Sequence, residues 1–145
     1  MRSAYTFDGA WTVAAPRREV HAVLVDLERY VEWWPQVVAV ASLGPDDARV
    51  LCRSRLPYTL DLVLHAASRD LDHLLVEVAG DLTGTVGFHL VEVAGGTRLD
   101  FHQEVRVGRL LALASYVVRP LLVWNHDRMM AACLDGLRAR LGAAT

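Results

Sequence analysis

Apolar and polar residues alternate along two well-separated segments of the chain, and this alternation restricts the fold more than any other feature. In the first segment one parity consists of Tyr58, Leu60, Leu62, Leu64 and Ala66, against Thr59, Asp61 and His65. In the second segment Leu99, Phe101, Gln103 and Val105 alternate with Arg98, Asp100, His102 and Glu104. Because successive side chains of a strand point to opposite faces, both segments are predicted to be antiparallel strands with one buried face and one wet face.

Turn signals divide the region between Gln36 and Val107 into five or six such strands. They occur at Gly44-Pro45-Asp46-Asp47, Leu56-Pro57, Arg69 to Asp72, Gly80 to Gly84 and Gly95-Gly96. The last of these is typical of a hairpin turn that needs positive φ, and no glycine-rich phosphate loop joins a strand to a helix. The region therefore predicts a sheet and gives no support to nucleotide binding.

The predicted sheet begins before this region. Tyr5 to Ala14 is rich in aromatic and β-branched residues and is predicted to be the first strand. Pro16 then fits the first position of a helix, and apolar residues recur at helical spacing from Arg17 to Tyr30. The proline at 35 ends the helical run, because the residue before a proline avoids helical geometry.

Helical periodicity returns after Gly108 and continues to Leu141. One stripe consists of Val123, Met130, Leu134, Leu137 and Leu141. Pro120 either kinks this helix or marks its start. A strand, short helices, a run of antiparallel strands and one long closing helix predict a single α+β domain over residues 1–145.

Composition and charge exclude several classes of protein. The net charge of −2 over 145 residues gives no global attraction to nucleic acid or to an anionic membrane. The N-terminus lacks the apolar region of a signal peptide, and the run from Leu110 to Trp124 is interrupted by Arg119 and Pro120. Cys52 and Cys133 lie far apart in sequence and suit a reducing compartment. We expect a cytoplasmic protein without stable membrane insertion or nucleic-acid binding; a homodimer is left open.

The order of elements and several short motifs resemble the helix-grip proteins of the START-like (SRPBCC) superfamily, in particular its polyketide cyclase/dehydrase and lipid-transport branch. The motifs are Val13-Ala14-Ala15-Pro16, Asp26-Leu27-Glu28-Arg29-Tyr30, Trp33-Trp34-Pro35, Gly87-Phe88-His89-Leu90 and Gly95-Gly96-Thr97-Arg98-Leu99. The resemblance covers nearly the whole chain. It implies a curved antiparallel sheet wrapped around a long C-terminal α-helix, with two short helices after the first strand.

The same resemblance implies an internal cavity for an apolar small molecule, between the sheet and the C-terminal helix. At 53% hydrophobic residues the chain exceeds the roughly 45–50% of ordinary soluble domains, and such a surplus enlarges a core or lines a cavity. Parity assigns the ligand-binding wall to Tyr58, Leu60, Leu62, Leu64, Val76, Phe88, Leu90, Phe101, Gln103 and, from the closing helix, Trp124. Trp33 and Trp34 fit the scaffold, and a role in ligand contact is left open.

Three functions are compatible with this fold class: carriage of a lipid- or polyketide-like molecule, polyketide cyclisation or dehydration, and protein interaction through an exposed patch on Leu110 to Val118. In the aromatising cyclases an arginine reaches into the cavity from the strand that corresponds to Tyr58 to Asp70. Ala66 stands where we expect that arginine, so binding is favoured over catalysis. Tyr58 and Arg128 are the candidates for proton donation or enolate stabilisation.

The histidines and cysteines predict neither a metal site nor a cofactor. Four histidines fall on the outward parity of their strands: His65, His73, His89 and His102. Two or more of them could form a cross-strand cluster, but no set of acidic or thiol side chains at ligand spacing accompanies them. His126 and Asp127 are adjacent on the closing helix and point about 100° apart, so they do not form a dyad. His126 itself is left open as one of few polar residues that could face the cavity.

Overall fold

The computed structural model describes residues 4–53, 59–107 and 109–142, apart from the side chains of 107 and 109–122. The strands are β1 Ala4–Val13, β2 Val37–Ser42, β3 Asp47–Arg53, β4 Thr59–Arg69, β5 His73–Gly80, β6 Leu82–Val93 and β7 Gly96–Val107. The helices are α1 Arg17–Val25, a 3-10 helix Leu27–Glu32, and α2 Arg109–Leu141. The predicted helix-grip architecture is confirmed: a seven-stranded antiparallel sheet with a long C-terminal helix.

The sheet has the order β1-β7-β6-β5-β4-β3-β2, with antiparallel pairing throughout. From β2 to β7 each strand pairs with the next in sequence, as short hairpin connections require. Strand β1 instead pairs with β7 at the far edge. The chain therefore crosses from one edge to the other through α1 and the 3-10 helix, which places these helices across the open side of the sheet.

The pairing register places the predicted apolar parity on one face. One row across the inner face joins Ala66, Val76, Val86 and Gln103. A second row joins Leu74, Phe88 and Phe101. Side chains that are directly paired across neighbouring strands lie on the same face, so each row forms one continuous layer of the inner wall.

Strand β4 contains an irregularity that parity alone does not predict. Ala66 pairs with Val76, but Ser68 pairs with Leu75, so Ala67 is an extra residue in the ladder. A bulge of this kind inverts the parity beyond it. Arg69 consequently pairs with Leu74, whose side chain is buried on the inner face.

The two short helices expected after β1 are present, and together they extend slightly beyond the stretch of helical spacing from Arg17 to Tyr30. The α-helix ends at Val25, and Asp26 then breaks the helical geometry with φ −85° and ψ 71° before the 3-10 helix begins. Pro16 is the N-cap of α1, one position earlier than predicted. The break allows the second segment to turn toward α2.

The closing helix is continuous from Arg109 to Leu141, so Pro120 lies within it and does not mark its start. Its C-terminal half completes the core together with β1, α1 and the sheet. The core residues with the least exposure are Val13, Val20, Leu90, Leu99, Cys133 and Leu137. In the part of the chain that the structure describes, no helix is long and apolar enough to cross a membrane.

Candidate functional site

A cavity of about 380 Å³ lies between the inner face of the sheet, the 3-10 helix and α2. Its wall is mainly apolar, and every strand from β2 to β7 contributes to it. The lining residues of the central strands are Leu60, Leu62, Leu64, Ala66, Val76, Val86, Phe88, Phe101 and Gln103. The volume falls in the range of roughly 300–1,000 Å³ that is usual for small-molecule sites.

Most residues assigned to the wall line this cavity, and two of the described ones lie elsewhere. Leu90 lies in the packed core with 1% of its surface exposed and is not among the lining residues. Trp124 is 44% exposed and also lies away from the wall. Tyr58 lies outside the described residues. Leu90 pairs with Leu99, two residues along the strands from the paired lining residues Phe88 and Phe101. Both leucines belong to the packed core beyond the end of the cavity.

Two polar side chains meet at the cavity wall. The Nε2 atom of His126, on α2, lies 2.9 Å from Oε1 of Gln103, on β7. Both residues line the cavity. Since an amide oxygen can only accept, the hydrogen bond requires that Nε2 of His126 carries the proton and donates it.

The surroundings of His126 keep its imidazole neutral. Its ring stacks on Phe7 with centroids 3.7 Å apart, and Phe101 lies at 6.0 Å. Burial lowers the pKa of His126 to about 4, with a small opposing effect from Asp127. With the proton on Nε2, the Nδ1 atom is a buried lone pair with no hydrogen-bond partner among the described residues. The site therefore contains a neutral imidazole with an acceptor that is not satisfied.

The helical side of the cavity consists of aromatic residues. The Tyr30 hydroxyl donates a hydrogen bond to the carbonyl oxygen of Leu24, and burial raises the pKa of Tyr30 above its ordinary range. Trp34 donates from Nε1 to the carbonyl oxygen of Met129, at 3.1 Å. Trp33 stacks on Trp34 with ring centroids 6.0 Å apart. These contacts join the 3-10 helix region to α2 and close this side of the cavity.

Charged residues also line the cavity. Asp26 and Glu28 belong to the 3-10 helix region, and Asp46, Asp47 and Arg69 lie where the turn between β2 and β3 approaches the end of β4. Arg69 donates to Asp46 at 2.6 Å and to the carbonyl oxygen of Pro45 at 2.7 Å. His21 of α1 contacts the carbonyl oxygen of Arg69 at 2.8 Å. All three contacts are exposed, so the Arg69 end is a polar rim of the cavity.

Both cysteines line the cavity and have elevated pKa values. Burial raises the pKa of the Cys52 thiol to about 11 and that of the Cys133 thiol to about 12. A nucleophilic cysteine needs a depressed pKa, because the thiolate is the reactive form. The two thiols therefore act as small apolar wall groups.

Solved structures with the same architecture come from several sources. One is a START superfamily protein from Mycobacterium smegmatis, with a TM-score of 0.78 at 16% identity over 94% of this chain and 97% of that one. Another is a protein from Thermus thermophilus, with a TM-score of 0.82 at 14% identity over the same shares. The chain has the START-like helix-grip fold.

Other START-like structures include the Zhui aromatase/cyclase from a Streptomyces species. Its TM-score is 0.71 at 14% identity, over 96% of this chain and 94% of that one. Neither a protein-family model nor a curated protein matches the sequence at a significant level. At these identities the similarity establishes the fold.

Within this START-like fold, two site residues were missed or left undecided by sequence reasoning. Arg69 was assigned to a turn, and only the bulge at Ala67 shows that it lies at the cavity rim. His126 was left open as one of few polar residues that could face the cavity, and its partner, Gln103, lies 23 residues away on β7. The available signal was that Gln103 is a polar residue on an apolar parity, and a buried polar group needs a partner.

The second proposed catalyst, Arg128, lies on the exposed side of α2. Its guanidinium carbon is 5.3 Å from the ring centroid of Trp124, and it is not a lining residue. Among the described residues, no group of three or more histidine, cysteine, aspartate or glutamate side chains could hold a metal ion. Gln103 and His126 form the polar pair between the sheet and α2, and Tyr30, Trp33 and Trp34 supply polar atoms on the helical side of the cavity.

Proposed function

We propose that this protein binds and carries an apolar small molecule, lipid-like or polyketide-like, in the cavity between the sheet and α2. The observation that carries the proposal is the cavity itself. A close-packed core leaves few voids larger than a water molecule. The cavity in this protein has a volume of about 380 Å³ and is therefore much larger than an ordinary packing void. Filling it with an apolar ligand removes apolar wall surface from water, at roughly 25 cal/mol per Å².

The polar pair defines one end of the proposed ligand. The ligand's hydrocarbon portion contacts the leucine and valine wall, and a hydroxyl or other hydrogen-bond donor reaches the pair formed by Gln103 and His126. A group that satisfies a buried polar atom there adds specificity as well as affinity. Molecules with an apolar body and one or two oxygen functions fit this arrangement.

The test combines identification of the ligand with a variant that fills the cavity. Native mass spectrometry of the purified protein is expected to show a bound small molecule, and the neutral probe N-phenyl-naphthylamine is expected to bind and be displaced by it. Ala66→Phe places a ring inside the cavity and should weaken probe binding by at least about tenfold, equivalent to 1.4 kcal/mol.

Ala79→Phe is the matched control, because Ala79 is exposed and pairs with Val63 on the other side of the sheet. It should leave probe affinity unchanged. A wild-type protein that carries no ligand and binds no apolar probe would refute carriage. Equal affinity in Ala66→Phe and the wild type would show that the probe binds elsewhere.

A second candidate is cyclisation or dehydration of a poly-β-keto chain in the same cavity. It is favoured by one specific observation, the neutral His126 with its unsatisfied Nδ1 at the wall. Such an atom can accept a proton from a substrate carbon or hydroxyl, and general acid–base catalysis typically contributes 10²–10⁴-fold. The Zhui aromatase/cyclase has the same fold. Tyr58 and Arg128 stay in this proposal as the alternative groups.

The two candidates are separated by assaying a poly-β-keto mimic for binding and for turnover. If the cavity is catalytic, His126→Phe should lower turnover by about 10²–10⁴-fold while the mimic still binds. Tyr58→Phe and Arg128→Met test the other groups in the same way. Binding of the mimic without turnover by the wild type would reject catalysis on this substrate class and leave carriage.

We also propose that the protein acts in the cytoplasm and that its partner is a small molecule. A protein-interaction role would use the patch on Leu110 to Val118, whose side chains lie outside the described ones. Size-exclusion chromatography with light scattering tests whether the protein forms a homodimer.

A further inference from the structure

Two histidines are stacked on the outer face of the sheet, on the side opposite the cavity. His73 of β5 and His89 of β6 are directly paired across the two strands. Their rings are nearly parallel, with an interplanar angle of 6° and centroids 4.3 Å apart. His73 is half-buried and His89 is exposed, so the pair is open to solvent on one side.

We propose that His73 and His89 form a binding site for a late first-row divalent metal ion such as Ni²⁺, Cu²⁺ or Zn²⁺. Imidazole nitrogen is a preferred ligand of these ions, whereas Mg²⁺ and Ca²⁺ prefer oxygen. The register holds the two rings next to each other on rigid strands, so little ordering is needed for chelation. Ring torsions of histidine are broad, and a rotation of each ring lets both present a nitrogen to the same ion.

The residue beside the pair is a glycine. Gly87 lies two residues before His89 on the same face, and a Cβ added to it would be 3.3 Å from Cδ1 of Leu75 and 3.8 Å from Nε2 of His73. Residue 87 therefore adds no side chain next to that ring nitrogen, and the Leu75 side chain packs over the glycine. Water molecules complete the coordination, as they do at sites with few protein ligands.

A third ligand lies nearby but is engaged elsewhere. Asp100 of β7 is the direct cross-strand partner of His89. Its two carboxylate oxygens accept from Arg98, at 3.0 Å from Nε and 3.1 Å from Nη2. The site accordingly has two histidine ligands in the native protein, and removal of Arg98 makes Asp100 available as a third.

The experiment is a titration of the full-length chain, free of any affinity tag, with Ni²⁺ at pH 7.5 by isothermal titration calorimetry. The wild type is expected to bind one ion per chain in a saturable manner, and its Tm should rise with Ni²⁺ concentration because the ion binds the folded state. His73→Gln and His89→Gln should each weaken binding by at least about tenfold, since the loss of an outer-shell group alone costs that much.

His65→Gln is the matched control, because His65 is also an exposed strand histidine and is bonded to Asp47. Its Ni²⁺ affinity should equal that of the wild type. No saturable binding by the wild type would overturn the proposal. So would Ni²⁺ binding that persists unchanged in His73→Gln and His89→Gln.

Arg98→Gln provides a test by gain of affinity, which a misfolded variant cannot imitate. Release of Asp100 should tighten Ni²⁺ binding by at least about fivefold, because an anionic oxygen ligand then replaces water. Arg49→Gln removes a comparable outer-face arginine, bonded to Asp61, and should have no effect. Equal affinities in Arg98→Gln and Arg49→Gln would overturn the assigned position of the ion.

Discussion

A Cβ atom on Gly136 would lie 1.8 Å from the carbonyl oxygen of Trp33. The glycine is on α2, and the tryptophan follows the 3-10 helix. The two backbones can therefore approach only because residue 136 has no side chain. This contact sets how closely α2 lies against the aromatic side of the cavity, where Trp34 also donates to Met129.

Gly136→Ala is expected to destabilise the protein, although alanine is the better helix former. Helix propensity favours alanine by about 1 kcal/mol, but the backbone carbonyl of Trp33 cannot move as a flexible side chain would. Overpacking typically costs about 1–3 kcal/mol, and the 1.8 Å approach puts this site at the upper end. Urea unfolding measures the net change.

Ala131→Gly calibrates the propensity effect at an exposed position of the same helix and should cost about 1 kcal/mol. If Gly136→Ala raised the free energy of unfolding, the close approach of Gly136 and Trp33 would be wrong.

Leu90→Ala and Leu64→Ala separate a core residue from a cavity residue. Leu90 is 1% exposed within the packed core, so its truncation should lower the free energy of unfolding by about 2–5 kcal/mol and leave probe affinity nearly unchanged. Leu64 is half-buried and already borders a void, so its truncation should cost less and alter probe affinity. Denaturant unfolding and probe titration are measured on both variants. The reverse order of destabilisation would place Leu90 at the ligand.

His126 should make the protein less stable as the pH falls from about 6.5 toward 4. Its pKa is lowered to about 4 in the folded state, against an ordinary 6.5, so the unfolded chain binds more protons in this range. The stability contribution is therefore complete above pH 6.5 and is lost as pH falls toward the folded value, on the order of 3 kcal/mol at pH 4. Urea unfolding of the wild type and His126→Gln between pH 7 and 4 measures it.

The difference between the two proteins isolates His126 from other titrating groups. An identical pH dependence in His126→Gln would contradict a buried neutral imidazole.

His102 and His65 should titrate above the ordinary histidine pKa for a different reason. His102 contacts Asp8 through Nδ1 and Glu104 through Nε2, at 2.5 and 3.3 Å, and hydrogen bonding to Asp8 raises its pKa. Asp47 raises the pKa of His65 in the same way. These contributions to stability are present below pH 6.5 and disappear as pH rises through the folded-state pKa.

NMR titration of the imidazole resonances tests both pairs reciprocally. Asp8→Asn should lower the pKa of His102 and leave that of His65 unchanged, and Asp47→Asn should do the opposite. A pKa that stays the same in its own variant would show that the pair does not form in solution.

The architecture could be predicted largely from local patterns. Alternation in the segments around Leu62 and Phe101 predicted both the strands and the face that each buries, and the helical stripe ending at Leu141 predicted the closing helix. These predictions succeed because backbone geometry alone fixes the side-chain period of a strand or a helix. The types of residues a few positions apart in the sequence are therefore sufficient for these predictions.

The errors occurred where this local rule was interrupted. The extra residue at Ala67 inverted the parity, so that Arg69 reached the cavity rim although it had been assigned to a turn. Two short helices were expected after β1, but the spacing of apolar residues did not indicate that the division between them lies at Asp26. In both cases a single residue changes the backbone geometry of the residues that follow it. The type of that residue does not indicate the change.

Local sequence patterns are sufficient to assign the residues of the sheet and its apolar face. The contact of Gln103 with His126, the stacking of His73 on His89 and the cavity at the apolar face follow from the three-dimensional arrangement. The first two depend on register and on the crossing of α2, which bring together residues distant in sequence. The cavity is a small difference between the volume that the sheet encloses and the volume of the side chains within it, so no single residue encodes it.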